Sequence, residues 1–221
     1  MGVKPNKEKR LLKGEPNLRV KLNNEQKEVV RKFYEYDVNF VLGDFGAGKS
    51  LVAVYAAIAA FRKKQFNKIW ITRPMIKNNL AALPGTLEDK MFPYVFPILQ
   101  NLEVCQGKDT TLRMKEKGEI EVMPVSVAKG ITFMDSVVIV DEFQDMDYQD
   151  FRTILTRLGK DSKVIFCGSK EQVDKAIGKN SCINNALKLV DTDLVGFTTL
   201  TANHRNPALT AIIKYLENEK Q

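Results

Sequence analysis

The sequence holds few of the residues from which thiol or imidazole chemistry is assembled. Its 221 residues include three cysteines and one histidine. Cys105, Cys167 and Cys182 form no C-x-x-C pair and leave an odd count, which argues against a disulfide framework or a cysteine-based zinc site and fits a reducing cytosol. His204 stands alone, so no histidine-rich metal cluster and no Cys–His pair is readily built. Long apolar runs are missing too. The longest, Leu51–Phe61, is shorter than the ~20 residues of a bilayer-spanning helix, and the charged N-terminus has no apolar signal core. The chain reads as cytoplasmic, with no membrane partner. The single tryptophan, Trp70, sits in an apolar strand, and no stacked aromatic series marks a nucleic-acid channel.

What is present suits a globular domain. Hydrophobic residues make up 44% of the chain and charged residues 28%, near the average for soluble domains, and the length fits one domain. The formal net charge is +7. Part of that excess is Lys4, Lys7, Lys9, Arg10 and Lys13, facing only Glu8, in a segment without apolar period. We expect residues 1–20 to form a basic, loosely docked arm and 21–221 a single domain. The basic excess suits a polyanionic partner, and a solvated face explains it equally well.

The stretch "VLGDFGAGKS" matches G-x-x-x-x-G-K-[ST]. Glycines let the backbone turn its N–H groups onto phosphates, Lys49 can reach the terminal phosphate oxygens, and Ser50 can bind Mg²⁺. The candidate nucleotide residues are Gly43, Asp44, Phe45, Gly46, Ala47, Gly48, Lys49, Ser50 and Leu51. The loop follows the short apolar strand "VNFVL" and precedes a helix from Lys49 to about Phe61, which is the context the motif requires.

Downstream, "SVVIVDEFQD" is an apolar strand ending in two acids. Asp141 is placed to hold Mg²⁺, and Glu142 to polarise an attacking water. Further strands are predicted at 68–72, 120–125, 163–168 and 195–200, with helices at "LNNEQKEVVRKFYEY", Met146–Leu158 and Pro207–Leu216. Strands alternating with helices, several as continuous apolar runs, predict an α/β fold with a mostly parallel sheet covered on both faces. The segment carrying Pro84, Pro93 and Pro97 predicts short helices on the rim of the sheet. Two further elements are weak on spacing alone: Gln172 beyond the strand end at Gly168, and Arg205 before a proline-started helix.

Together "LNNEQ", "GDFGAGKS", "TRP", "VDEFQD", "GSKEQ" and "NHRNP" resemble, in order, the first-motor-domain motifs of superfamily-1 helicases, which have a RecA-like P-loop NTPase fold. "TRPMIKNNLAALPGTLEDKMFPYVFPIL", "VMPVSVAKGITFMDSVVIVDEFQD" and "TRLGKDSKVIFCG" are similar to PhoH-like proteins, the phosphate-starvation-inducible ATPases of bacteria and phages. The likeness runs from about Leu22 to Leu216. It implies ATP and Mg²⁺ as ligands, Gln26 as the adenine reader, Gln172 as a γ-phosphate sensor and Arg205 as an arginine finger. It also implies Thr72, Arg73 and Lys129 near a bound single strand of RNA or DNA, with RNA the first expectation.

Two departures stand out. Relatives commonly carry an acid where this chain has Ser169, which predicts a weaker network around the metal and Gln172. The chain also ends soon after Leu216 without a second motor segment. The resemblance therefore predicts a homo-oligomer, such as a hexameric ring, in which a neighbour's basic residue closes the cleft. Two other functions fit part of the pattern: a nucleoside kinase of the thymidine-kinase type, which lacks its zinc ribbon here, and a nucleotide-gated binding module with little hydrolysis.

Overall fold

The computed structural model describes residues 18–74, 86–173 and 177–202, together with 212 and 215. Helix α1 (Asn24–Glu35) opens on Asn23, whose side chain accepts the Gln26 N–H while Gln26 Oε1 accepts the Asn23 N–H. This reciprocal box satisfies two of the donors that any helix start leaves bare. Strand β1 (Val38–Gly43) leads through the glycine loop into α2 (Lys49–Arg62). Then follow β2 (Lys68–Thr72), α3 (Leu87–Gln106), α4 (Lys108–Glu116), β3 (Ile120–Val122) and β4 (Ser136–Asp141). The remaining elements are α5 (Tyr148–Arg157), β5 (Lys163–Gly168), α6 (Ile183–Leu187) and β6 (Gly196–Leu200).

The six strands form one sheet in the order β3-β2-β4-β5-β1-β6, and each strand runs parallel to its neighbours. A parallel sheet needs cover on both faces, and two apolar clusters supply it. One packs α1, α2 and α3 on one face, through Val29, Phe33, Val52, Ile58, Val95 and Leu102. The other packs α5, α6 and the short 3-10 helix Val125–Gly130 on the opposite face, around Phe40, Phe133, Phe143, Phe151 and Phe166. All six residues of β4 are buried, as its unbroken apolar run requires. The expected fold class is therefore the observed one.

Three local expectations change. The proline-bearing segment is one 20-residue helix, α3, with Pro93 and Pro97 inside it. Met91, Val95, Ile98, Leu99, Leu102 and Cys105 form a buried stripe at helical spacing, and that burial outweighs the missing proline N–H groups. Strand β3 stops at Val122 rather than continuing to 125. Met123 donates the last bond, to Ile71 at 3.0 Å, and Pro124 can donate none. Helix α4, polar along most of its length, was not anticipated; only its Thr111 and Met114 are buried.

Of the expected arm, Leu18 and Val20 pack on the core and the Arg19 N–H donates to the Cys105 carbonyl at 3.0 Å. Residues 1–17 lie outside the described residues. So does the expected helix at 207–216, apart from Ile212 and Tyr215, which are helical and exposed.

Candidate nucleotide site

The site lies at the carboxyl ends of the strands, where open α/β sheets bind their ligands. Gly43 closes β1 with φ 155°, and a Cβ there would sit 2.6 Å from the Leu200 carbonyl of β6. Only glycine lets the loop leave the sheet so close to its neighbour. At the other end Gly48 takes φ 81° and starts α2, leaving the helix's first N–H groups facing the loop. Lys49 is buried, and its Nζ donates to the carbonyls of Gly43 at 2.7 Å and Asp44 at 2.9 Å, which pins the ammonium across the loop. Asp44, Phe45, Gly46, Ala47 and Leu51 complete the turn and the first helical residues around it, with the Ala47 N–H donating to the Asp44 carbonyl at 3.3 Å.

The decisive contact joins residues far apart in sequence. Ser50 Oγ donates to Asp141 Oδ1 at 2.7 Å, so the loop serine and the acid at the tip of β4 share one position. Asp141 is buried, and burial is the main force pushing its carboxyl above the usual carboxylate range. The Glu142 charge pushes the same way, while the Ser50 bond, Arg73 and Lys49 partly oppose it. A cation beside Ser50 and Asp141 would offset that penalty. Both offer oxygen, the donor that a hard divalent ion takes. No group of three or more His, Cys, Asp or Glu side chains that could hold a metal occurs among the described residues. Mg²⁺ needs no such group, since it is bound through one or two carboxylates plus substrate phosphates and water.

Glu142 has φ 53° and ψ 42°, left-handed values that cost a non-glycine residue about 1–3 kcal/mol. That turn directs the side chain away from β4. Its Oε2 accepts from Gln144 Nε2 at 2.7 Å, and its Oε1 lies 3.9 Å from Arg73 Nη2. Gln144, which the sequence reading passed over, is buried and connects the ends of β4 and β5. Its Oε1 accepts the Ser169 N–H at 3.1 Å, and its Nε2 also lies 3.4 Å from the Gln172 carbonyl. Gly168 makes room for it: a Cβ there would be 2.6 Å from both Gln144 Oε1 and the Phe143 ring. The signal was available in "DEFQD", where a glutamine follows a buried phenylalanine just past the acids.

The other candidates separate. Gln26 is buried in the α1 capping box. Gln172 is exposed beside the Gln144 amide. Ser169 is buried, with its N–H on Gln144 and its Oγ accepting the Glu171 N–H at 3.3 Å. Thr72 is wholly buried at the carboxyl end of β2, where it lies beside Val140. Arg73 turns inward, donating to the Tyr94 carbonyl of α3 at 3.2 Å as well as facing Glu142. Lys129 is exposed in the 3-10 turn. Arg205 lies outside the described residues.

A profile of PhoH-like proteins matches residues 19–217, nearly the whole chain. The chain belongs to the PhoH-like family. A PhoH-like protein of Bacillus subtilis is 37% identical over 158 residues, which cover 71% of this chain and 50% of that protein. Protein PhoH of Escherichia coli is 31% identical over 176 residues, covering 77% of this chain and 49% of the relative. This PhoH-like chain thus spans about half the length of the curated relatives it matches. Among solved structures, the UvsW helicase of bacteriophage T4 superposes with a TM-score of 0.52 at 13% identity, over 83% of this chain and 61% of that one. The SWI2/SNF2 ATPase core of Sulfolobus solfataricus gives 0.51 at 12% identity, over 84% and 46%. At such identities the likeness concerns the fold, that of a helicase-type P-loop NTPase motor domain. Such a fold is built for nucleotide and Mg²⁺. No helix among the described residues is long and apolar enough to cross a membrane.

Proposed function

We propose that this chain is a Mg²⁺-dependent ATPase that hydrolyses ATP to ADP and phosphate and couples turnover to binding single-stranded nucleic acid, RNA in preference to DNA. The observation that carries the reading is the 2.7 Å bond from Ser50 to Asp141, with Glu142 next in sequence. The loop N–H groups and Lys49 hold the phosphates. Ser50 and Asp141 hold the metal, which supplies charge neutralisation on the phosphate oxygens when bound. Glu142 takes the proton of the attacking water, kept in place by Gln144 and the nearby Arg73 guanidinium. Gln172, next to the same glutamine, senses the γ-phosphate. Gln26 reads the adenine, and Arg205 acts as the finger.

Arg73 belongs with the acids in this scheme, and Lys129 remains a surface contact for the strand's phosphates. The family resemblance supports a ring of copies, such as a hexamer, closing each cleft with a neighbour's basic residue in the cytoplasm. The test is Glu142→Gln. It should keep ATP-Mg²⁺ binding by calorimetry while turnover falls by roughly 10²–10⁴-fold, the usual worth of a general base. Undiminished turnover removes Glu142 from the mechanism. Phosphate transferred to a nucleoside, instead of released, would replace the ATPase with a kinase.

A further inference from the structure

Beside the helices that cover the sheet face opposite α2, a cleft of about 460 Å³ opens between the start of α5 and the segment leading into α6. That volume falls within the ~300–1,000 Å³ typical of small-ligand sites. Its lining includes Tyr148, Gln149, Lys179, Asn180, Asn184 and Asn185. The Tyr148 side is open to solvent at 52% exposure, and Lys179 is exposed at the rim. The carboxamides of Gln149, Asn180, Asn184 and Asn185 make no hydrogen bond to the described residues. Each offers both a donor and an acceptor. The one carboxylate in the lining, Asp147, is already engaged, capping α5 through the Asp150 N–H at 2.8 Å. The cleft is thus neutral, rich in paired donors and acceptors, and flanked by an exposed aromatic ring.

Its floor is tied to the acids. Asp147 bridges Ser181, whose hydroxyl donates to the Gln144 carbonyl, and the Cys182 N–H donates to the Met146 carbonyl at 2.9 Å. Gln144 in turn holds Glu142.

We propose that this cleft seats one unpaired nucleobase of a bound single strand. Tyr148 supplies the stacking face, the asparagine amides meet the base edge, and Lys179 meets the adjoining phosphate. A strand, and not a free anion, fits best. The α5 N-terminus is already capped, the amides match base edges, and an open-sided cleft lets a chain pass on either side. Seating the base loads the Ser181–Gln144–Glu142 connection, which gives the strand a route to the hydrolytic acid. The inference rests on the nucleic-acid part of the proposed function.

The test compares binding of a labelled ten-uridine strand with that of an abasic strand of equal length and charge, by anisotropy at fixed low salt. The wild-type chain should prefer the base-bearing strand by roughly tenfold, within the range that base–aromatic stacking gives. Tyr148→Ala and Asn184→Ala should shrink that preference toward unity with unchanged melting temperature, and Tyr148→Phe should retain it. An undiminished preference in both alanine variants overturns the assignment, as does a wild-type chain indifferent to bases. A change in solution mass with unaltered strand binding would make the cleft a subunit contact and overturn it too. Titrating the wild-type chain with ATP-Mg²⁺ reads the nucleotide site separately: heat there, with no base preference, sinks only this inference.

Discussion

The two sides of β4's carboxyl end are built on opposite terms. On the phosphate-loop side, polar groups are committed to one another: Lys49 to two loop carbonyls, Ser50 to Asp141. Beside α5, on the opposite sheet face from α2, the cleft carries amide groups with no bond to another described residue and an aromatic ring in solvent. Buried charge has to be met inside the protein, whereas an exposed amide can wait for a partner. The first arrangement is preorganised for a single ligand geometry. The second can accept sequence-tolerant contacts. Gln144 sits between them and is bonded to both.

The largest expected effect comes from the committed side. Asp141→Asn should abolish Mg²⁺-dependent turnover, beyond the roughly 10–100-fold that losing an outer-shell partner costs. The same change should stabilise the ligand-free chain at pH 7, read as a higher melting temperature. The sign follows from the raised Asp141 pKa: its favourable contribution is present below the unfolded value and lost as pH rises through the folded value. The variant's advantage should therefore shrink in melts run toward pH 4. A variant no more stable than wild type at pH 7 would mean that the carboxylate is better solvated than its burial implies.

Severing the link between the two sides should cost less. Gln144→Ala should lower kcat by about 10–100-fold, the range for removing a group that orients a functional ligand, with little change in the KM for ATP. It should also reduce stimulation by added single strands more than basal turnover. A proportional fall in both would leave Gln144 as support for Glu142 alone.

Gly168→Ala attacks the same link through packing. The added methyl meets Gln144 and Phe143 and should destabilise the fold by about 1–3 kcal/mol, read by urea titration. A neutral substitution would show that Gln144 can move without consequence, which would weaken the comparison.

The smallest effect concerns the thiols, which belong to neither side's chemistry. Burial pushes Cys105 and Cys182 each up to about 12 and Cys167 well above its usual value, so all three stay protonated at pH 8. A colourless thiol assay on the native chain, with full reaction after denaturation, is the expected result.

Much of this was legible because the residues concerned are local in sequence. The phosphate loop and the apolar run of β4 each carry their structure within about ten residues, and both stand where the pattern placed them. Helix α3 was not legible, because its prolines speak locally for breaks while its buried stripe acts only once α2, α4 and the β2–β3 edge of the sheet are packed against it. The burial of Thr72 at the end of β2 was not legible either, because it follows from the neighbour that β4 places beside it, Val140.

The sequence by itself determined the fold class and the phosphate loop, since periodicity and glycine geometry are properties of short stretches. Only the tertiary structure decided that Ser50 meets Asp141 across 91 positions, that Gln144 ties the ends of β4 and β5, and that Arg73 faces Glu142. The reason is strand order. Residues remote along the chain become neighbours at the sheet's carboxyl edge because β5 is inserted between β4 and β1, and no local pattern encodes that insertion.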